Sequence, residues 1–377
     1  MLRVALKLLA SILLLVLIDL AFQAGIWEPL AKPASHAGTS VRLKRWLDDP
    51  HASRIDFVTM GSSRPEFGIN HVELAALGKD HDSVHANLTM PGSHWMTMGV
   101  LGEWLARHHP EIRGGVIALS IQTFTNPGNG SYELGIVYPF HRLRDLPWMA
   151  EHIPFRRDDP ESWGVWSGLF AWREDVRDFV LSPKQRLSSL RWFKRHKTWR
   201  ELFHNPESKG DMCTFGLDTL DACDRIEASE SERAKGLVEQ CRQLRDYAAH
   251  RTDFDALRQR QHLPSNMAES RRLIRAQLRA TTWPVPPVVV LMPTPTIWTK
   301  HALPRGLHRW ALSVLQPLVD EGTIQLIDGT DFFNTDGHTD CHQFFDFYHQ
   351  NASGRDVFTR WLLPQLQKDL YGRRAAH

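Results

Sequence analysis

Two short blocks, far apart in the chain, carry the residue types needed for covalent acyl chemistry. The first is Gly61-Ser62-Ser63-Arg64, which directly follows a strand-like run. A serine on a tight turn from a strand into a helix exposes its hydroxyl, and the helix N-terminus behind it favours developing negative charge. The second is Asp346-Phe347-Tyr348-His349, near the end of the chain. His349 can accept the proton of the Ser63 hydroxyl, while Asp346 holds the imidazole in place.

Such a reaction also needs hydrogen-bond donors for an oxyanion. Gly92 follows the second strand-like run, where its backbone N–H can approach an oxygen closely, although an ordinary turn glycine fits the same pattern. Gln122 and Asn126 follow the third run, and either side-chain amide can donate. Arg64 can meet an anionic substrate or pair with a carboxylate of the protein, and we expect the pairing.

Five short, mostly apolar runs separated by helical sequence predict a parallel sheet that is buried on both faces. Right-handed crossovers then give an α/β fold with a three-layer α/β/α sandwich. Reactive groups collect at the carboxyl ends of the strands in such sheets, which is where the serine block and the oxyanion donors fall. The runs cover residues 54–60, 83–88, 115–120, 287–292 and 323–327, and a last helix is predicted from Ala352 to Leu370.

The pattern changes in the middle of the chain, where strand signals vanish and helical, Arg-rich sequence takes over. Within it, the segment from Lys184 to Arg200 interleaves cations with aromatic residues. It is either a surface for anionic lipid headgroups or a charged glycan, or a solvated helix face whose Trp and Phe side chains pack inward. The predicted organisation is a membrane anchor at 1–27, a linker at 28–50, the sheet domain at 51–140 and 284–377, and a helical insertion at 141–283.

The first residues are apolar enough to enter a membrane. The residues from Leu8 to Ile18 carry no charge, and the apolar run continues after Asp19. Its total length of about 20 residues is enough to cross a bilayer. An uncleaved anchor is therefore predicted; a cleaved signal peptide and a buried core helix are the alternatives. Arg3 and Lys7 precede the core, so the positive-inside rule places the rest of the chain outside the cytoplasm.

Composition excludes several classes of protein. The 377 residues are 42% hydrophobic and 23% charged, which is typical of a globular protein, and a net charge of +2 argues against a general nucleic-acid binder. A mean hydropathy of −0.35 excludes many membrane spans. None of the four cysteines has a CxxC spacing, so no zinc or thioredoxin site is indicated. No metal or organic cofactor is predicted, and Cys213 with Cys223 is the pair expected from sequence proximity.

The order of these blocks resembles the SGNH (GDSL-type) hydrolase superfamily. That superfamily has a Ser after its first strand, a Gly after the second, an Asn after the third and a late Asp-x-x-His. The resemblance covers residues 54–126 and 287–370 and implies a flavodoxin-like SGNH fold. In the third block Gln122 stands where Asn is expected. The positions that match are Ser63, Gly92, Asp346 and His349, with Asn351 and Gly354 continuing the last block.

A Gly-Ser-Ser block behind an apolar N-terminal segment is similar to the extracytoplasmic branch of this superfamily, which includes the D-alanyl transfer protein of teichoic acid operons and the alginate O-acetylation proteins. The resemblance implies acyl transfer, such as O-acetylation, to an exopolysaccharide outside the cytoplasmic membrane, with a membrane-bound O-acyltransferase as partner. An esterase or deacetylase, or a catalytically inactive polysaccharide assembly protein, are the alternatives.

Overall fold

The structure, a computed structural model, describes most of the chain in two compact units. The described residues are 2–49, 54–125, 135–141, 145, 147, 164, 166–195, 205–254 and 265–372. The first unit comprises residues 1–53, 92–109 and 128–199, and the second comprises residues 54–91, 110–127 and 200–377. Residues 200–283, which the sequence placed in a helical insertion, are part of the second unit together with the sheet.

The second unit is built on the parallel sheet that the sequence predicts. Its five strands lie in the order β2-β1-β3-β4-β5, and all neighbouring pairs are parallel. A separate two-stranded hairpin pairs Asn334–Thr335 with His338–Thr339. The strands of the sheet are β1 (Phe57–Gly61), β2 (His85–Asn87), β3 (Gly114–Leu119), β4 (Val288–Leu291) and β5 (Gln325–Asp328).

Four of the five strands are buried along their whole length, which explains why their sequences do not alternate. The register pairs Gly61 with Ala118 and Leu119 with Leu291, so the carboxyl ends of β1, β3 and β4 lie side by side. Residues that follow these three strands therefore share one edge of the sheet.

The described residues are 60% helical, well above the share in ordinary globular domains, and helices occupy most of the described part of the connection between β3 and β4. The described part of 141–283 contains helices and no strand, as predicted. The helices are α1 (Leu2–Gln23), α2 (His36–Leu47), α3 (Ser63–Gly68), α4 (His71–Asp80), α5 (Trp95–His108), α6 (Gly168–Ala171), α7 (Arg173–Leu181), α8 (Pro183–Arg195), α9 (Asp221–Glu227), α10 (Glu232–Ala249), α11 (Ser265–Ala280), α12 (Leu307–Asp320) and α13 (Ala352–Leu366), the last extended by a π-helical turn to Tyr371.

Helix α1 is long and apolar enough to cross a membrane, with a mean hydropathy of 2.5 over residues 3–23 and none of that window buried. A buried core helix is therefore the wrong interpretation of this segment. Asp19, the charged residue within the apolar run, binds the start of α6. Its carboxylate accepts hydrogen bonds from Ser167 Oγ at 2.6 Å and from the Leu169 N–H at 2.9 Å. The C-terminal end of α1 is thereby attached to the rest of the first unit.

Two disulfides join the four cysteines, and the pair expected from sequence proximity is wrong. Cys213 is bonded to Cys341, with 4.9 Å between their Cα atoms, and Cys223 is bonded to Cys241, with 5.4 Å. Cys223 on α9 faces Cys241 on α10 because the two helices pack against each other. Disulfides of this kind are typical of proteins in oxidising compartments.

Candidate active site

Gly61 allows the turn that presents Ser63. It ends β1 with φ of +154°, and a Cβ at this position would lie 2.5 Å from both the Ala118 carbonyl oxygen and Pro65 Cγ. Only glycine fits so close to β3. The chain then passes through Ser62 into α3, and Ser63 is the first residue of that helix. Its backbone N–H has no acceptor within the helix and is available to an outside oxygen.

The segment from Asp346 to His349 forms a turn that Asp346 itself stabilises. Asp346 Oδ1 accepts the backbone N–H groups of Tyr348 and His349, both at 2.7 Å. The next residues lead into α13, where Asn351 caps the helix by accepting the Gly354 N–H at 2.9 Å. Asn351 Nδ2 also donates to the carbonyl oxygens of Gly210 and His342. The turn is therefore fixed at both ends.

The structure brings Ser63, His349 and Asp346 into one hydrogen-bonded chain. Ser63 Oγ lies 2.8 Å from His349 Nε2, and His349 Nδ1 lies 2.8 Å from Asp346 Oδ2. With the ring proton on Nδ1, His349 donates to Asp346 and accepts from the serine hydroxyl. The sequence predicted this proximity, while the roles of Ser63 as nucleophile, His349 as base and Asp346 as orienting carboxylate stay predictions.

Burial of Asp346 is offset by the hydrogen bonds it accepts. Burial alone would raise the pKa of its carboxyl, but the His349 ring and the two backbone N–H donors outweigh burial and hold that pKa below its usual value. The Asp346 side chain is 7% exposed and that of His349 is 18% exposed. The carboxylate is thus ionised and shielded at neutral pH, while the imidazole remains reachable from solvent.

Residues outside the predicted blocks hold Asp346 and His349 in place. Gln240 on α10 donates from Nε2 to Asp346 Oδ2 at 3.2 Å and accepts the Phe347 N–H at 3.2 Å. The rings of Phe67 and Phe345 lie 4.8 and 5.6 Å from the His349 ring. Sequence reasoning missed Gln240, because nothing in the Arg-rich helical stretch indicates that one of its glutamines reaches the end of the chain.

Close packing also explains the glycine that ends α3. A Cβ at Gly68 would lie 2.2 Å from Gln350 Oε1 and 2.8 Å from Met292 Cε. The helix that starts at Ser63 therefore packs directly against the residue that follows His349. Glycine at this position lets the end of α3 lie next to the segment that carries His349.

Arg64 pairs with no carboxylate among the described residues, contrary to the ion pair that the sequence suggested. Its guanidinium donates to Gln122 Oε1 at 2.9 Å and to Thr294 Oγ1 at 3.4 Å, and it lies over the Tyr348 ring at 5.5 Å. The residue is 7% exposed. Burial lowers the pKa of Arg64 to about 10, opposed by Tyr348 and Asp346, so the side chain is cationic at neutral pH.

The predicted oxyanion donors have three different outcomes. Gln122 lies in the 3₁₀ turn Ile121–Thr125 directly after β3, and Arg64 holds its Oε1, which leaves the Nε2 hydrogens for another acceptor. Gly92 follows β2 with φ of +76°, a conformation that favours glycine, and belongs to the first unit. Its role as an oxyanion donor stays a prediction. Asn126 lies outside the described residues.

One group of described residues has metal-ligand side chains, namely Cys213, Cys341 and His342. The two sulfurs are joined to each other in a disulfide, so neither is a thiolate that could bind a metal. This group therefore serves as a cross-link.

Neither a family model nor a curated protein matches the chain. The functional assignment accordingly depends on the geometry of the site.

Proposed function

We propose that this protein is a serine-dependent acyltransferase that acylates hydroxyl groups of an extracytoplasmic polysaccharide through an acyl-serine intermediate. The observation that carries the proposal is the continuous chain from Ser63 Oγ through the His349 ring to the Asp346 carboxylate, with both links at 2.8 Å. A serine hydroxyl is a poor nucleophile until such a base takes its proton.

In the first step, Ser63 Oγ attacks the carbonyl carbon of the acyl donor while His349 Nε2 takes the hydroxyl proton. The oxyanion that forms accepts hydrogen bonds from the Ser63 N–H and from a side-chain N–H of Gln122. When the tetrahedral intermediate collapses, the bond to the leaving group breaks and His349 returns the proton to that group. The Asp346 carboxylate stabilises the imidazolium in between.

In the second step, a sugar hydroxyl gives its proton to His349 Nε2 and attacks the acyl-serine carbonyl. Collapse breaks the bond to Ser63 Oγ, which recovers the proton, and the acyl group stays on the sugar. If water takes the place of the sugar hydroxyl, the same steps make the protein an esterase. The two activities share every residue and differ in how water is kept from the acyl-serine.

The fold supports the proposal that the protein is a member of the SGNH hydrolase superfamily with a three-layer sandwich. The strand order 2-1-3-4-5 is one of the two common orders of doubly wound α/β sheets, and the site lies at the carboxyl ends of strands as such folds require. The two disulfides and the apolar helix α1 support a single-pass protein of the cytoplasmic membrane whose catalytic part is outside the cytoplasm. A membrane-bound O-acyltransferase is the proposed source of acyl groups.

The test uses the full chain in detergent with a short-chain p-nitrophenyl ester. Wild-type protein should release p-nitrophenol, and Ser63→Ala should lower kcat/KM by at least about 10³-fold. Ser62→Ala is the matched control, since Ser62 is the adjacent serine and Ser63, not Ser62, forms the hydrogen bond with His349 Nε2. The control should retain most of the wild-type rate.

Adding an acidic or neutral oligosaccharide separates transfer from hydrolysis. Acylated sugar detected by mass spectrometry, at the expense of free acid, supports transfer; free acid alone supports the esterase. A serine-directed fluorophosphonate should label the wild-type protein and should not label Ser63→Ala. If it labels neither protein, the chain is a catalytically inactive assembly protein and the proposal is wrong.

A further inference from the structure

The first unit contains an apolar cavity between α2, α8 and residues 28–33, the part of the linker that precedes α2. Its volume is about 540 Å³, within the range of small-molecule sites. The apolar part of its wall comes from the linker and from facing positions of the two helices. These residues are Pro29, Ala31, Val41, Leu187, Leu190 and Phe193.

Three exposed cations line the same cavity: Arg45 on α2, and Arg191 and Lys194 on α8. None of the three forms an ion pair with a residue in the described part of the chain. Two carboxylates are also present, Glu28 and Asp49, and Glu28 is engaged by Lys44 at 3.3 Å. The balance of charge around an apolar wall therefore favours an anionic amphiphile.

A buried arginine keeps this wall in place without a ligand. Arg186, 3% exposed, donates to the Leu30 carbonyl oxygen at 2.7 Å, to Asp175 Oδ1 at 2.8 Å and to Asp178 Oδ2 at 2.6 Å. It joins α8 to α7 and to the linker. The cavity is consequently preformed, which lowers the entropic cost of binding.

The same two helices, α7 and α8, also carry exposed apolar side chains. Val180 and Leu181 at the end of α7 are 68% and 71% exposed, and Leu187 and Trp192 on α8 are 40% and 51% exposed. Trp192 therefore does not pack inward, whereas Phe193 is half-buried beneath Arg42 at 5.0 Å. A helix with cations beside exposed Leu and Trp is typical of segments that lie at a membrane interface.

The cavity belongs to the same compact unit as α1. Trp27 Nε1 donates to Asp175 Oδ1 at 2.7 Å, and Asp19 near the end of α1 accepts from Ser167 on the way into α6 and α7. A helix long and apolar enough to cross a membrane is thus joined by short connections to α7 and α8. This continuity favours a membrane lipid over a soluble ligand.

We propose that the cavity binds one anionic phospholipid taken from the membrane that α1 enters. The phosphate contacts Arg45, Arg191 and Lys194, and an acyl chain lies along Val41, Leu187 and Leu190. The site makes no use of Ser63 or His349, so it stands whether or not the acyl-transfer proposal holds.

The test measures phosphatidylglycerol binding to the full chain in a neutral detergent by native mass spectrometry. Wild-type protein should retain about one phosphatidylglycerol and should bind phosphatidylcholine much more weakly. Replacing all three cations, Arg45→Gln/Arg191→Gln/Lys194→Gln, should weaken phosphatidylglycerol binding roughly 100-fold, since each basic residue near an anionic lipid contributes about fivefold. Leu187→Gln/Leu190→Gln should weaken binding of both lipids at least tenfold.

The matched control removes three exposed cations of the second unit: Lys209→Gln/Lys235→Gln/Arg242→Gln, whose side chains are 86%, 61% and 72% exposed. This variant should bind phosphatidylglycerol as the wild type does. Equal binding of phosphatidylcholine, or unchanged binding in the cavity variants, would overturn the proposal. Displacement of the lipid by inorganic phosphate or an acidic oligosaccharide at matched concentration would make the site a polyanion site and overturn it as well.

Discussion

Ser63 Oγ lies 2.8 Å from His349 Nε2, although 286 positions separate the two residues in the chain. The sheet brings them together: Ser63 begins the helix after β1, and His349 lies just before α13, which packs against that helix. Gly61 and Gly68, at the two ends of the segment that carries Ser63, permit the close packing around it. The contact is a product of the whole second unit, and substitutions remote from either residue should therefore affect it.

Asp346→Asn should remove most of the activity while leaving the fold intact. The amide cannot stabilise the imidazolium, and it favours the wrong ring tautomer of His349, so kcat should fall by about 10³–10⁴-fold. Steady-state hydrolysis of a p-nitrophenyl ester checks this. Glu207→Gln, at a side chain that is 85% exposed, is the control and should keep full activity.

The same carboxylate predicts a pH dependence of stability. The pKa of Asp346 is lower in the folded protein than in the unfolded chain, so its stabilising effect is present above about pH 4 and is lost as the pH falls through the lower folded value. The difference in unfolding free energy between wild type and Asp346→Asn should therefore shrink as the pH falls from about 5 to about 2, the range in which carboxyl groups titrate. A constant difference over this range, measured by urea denaturation, would contradict the assignment.

Gln240→Leu should impair catalysis by misplacing Asp346. The leucine cannot donate to Asp346 Oδ2 or accept the Phe347 N–H, so the His349 ring loses its fixed orientation. We expect a loss in kcat of about tenfold to 10²-fold, with KM little changed and the acid limb of the pH–rate profile displaced. Glu239→Gln, next to it on α10, is the control. An unchanged pH–rate profile would mean that Gln240 has a purely structural role.

Arg64 and Gln122 should act as one unit. Gln122→Ala removes the amide donor that Arg64 orients, and a lost oxyanion donor costs about 10²–10³-fold in kcat. Arg64→Met frees the amide to rotate and should cause a comparable loss. Because the two changes disable the same interaction, the double variant should be far less impaired than the product of the single losses. Strictly multiplicative effects in a double-mutant cycle would show that the residues act independently.

Local pattern is enough to predict elements that neighbouring residues decide. All five strands follow from short, mostly apolar runs between helical segments, and Asp346 could be linked to His349 because they share one turn. Features that depend on tertiary contact could not be predicted in this way. In the described part of the chain, Arg64 bonds Gln122 and Thr294, which follow β3 and β4, and no spacing in the sequence reveals these partners.

The cysteines are the clearest case of such a failure, and they give the last prediction. Cys213 is bonded to Cys341 across 128 positions, although Cys223 is much closer in sequence. The bond fixes the 3₁₀ turn Cys341–Gln343, which precedes the turn formed by Asp346. Loop-closure entropy predicts a loss of about 5 kcal/mol for Cys213→Ala/Cys341→Ala and about 3 kcal/mol for Cys223→Ala/Cys241→Ala, whose bond closes a much shorter loop.

The two double variants should also differ in activity under conditions where both remain folded. Only the first releases the segment that carries Asp346 and His349, so we expect its kcat to fall while the second variant retains nearly wild-type turnover. Guanidinium denaturation measures the stabilities, and ester hydrolysis at low temperature measures the rates. Equal activity in the two variants would mean that Asn351, through its bonds to Gly210 and His342, holds the catalytic turn without help from the disulfide.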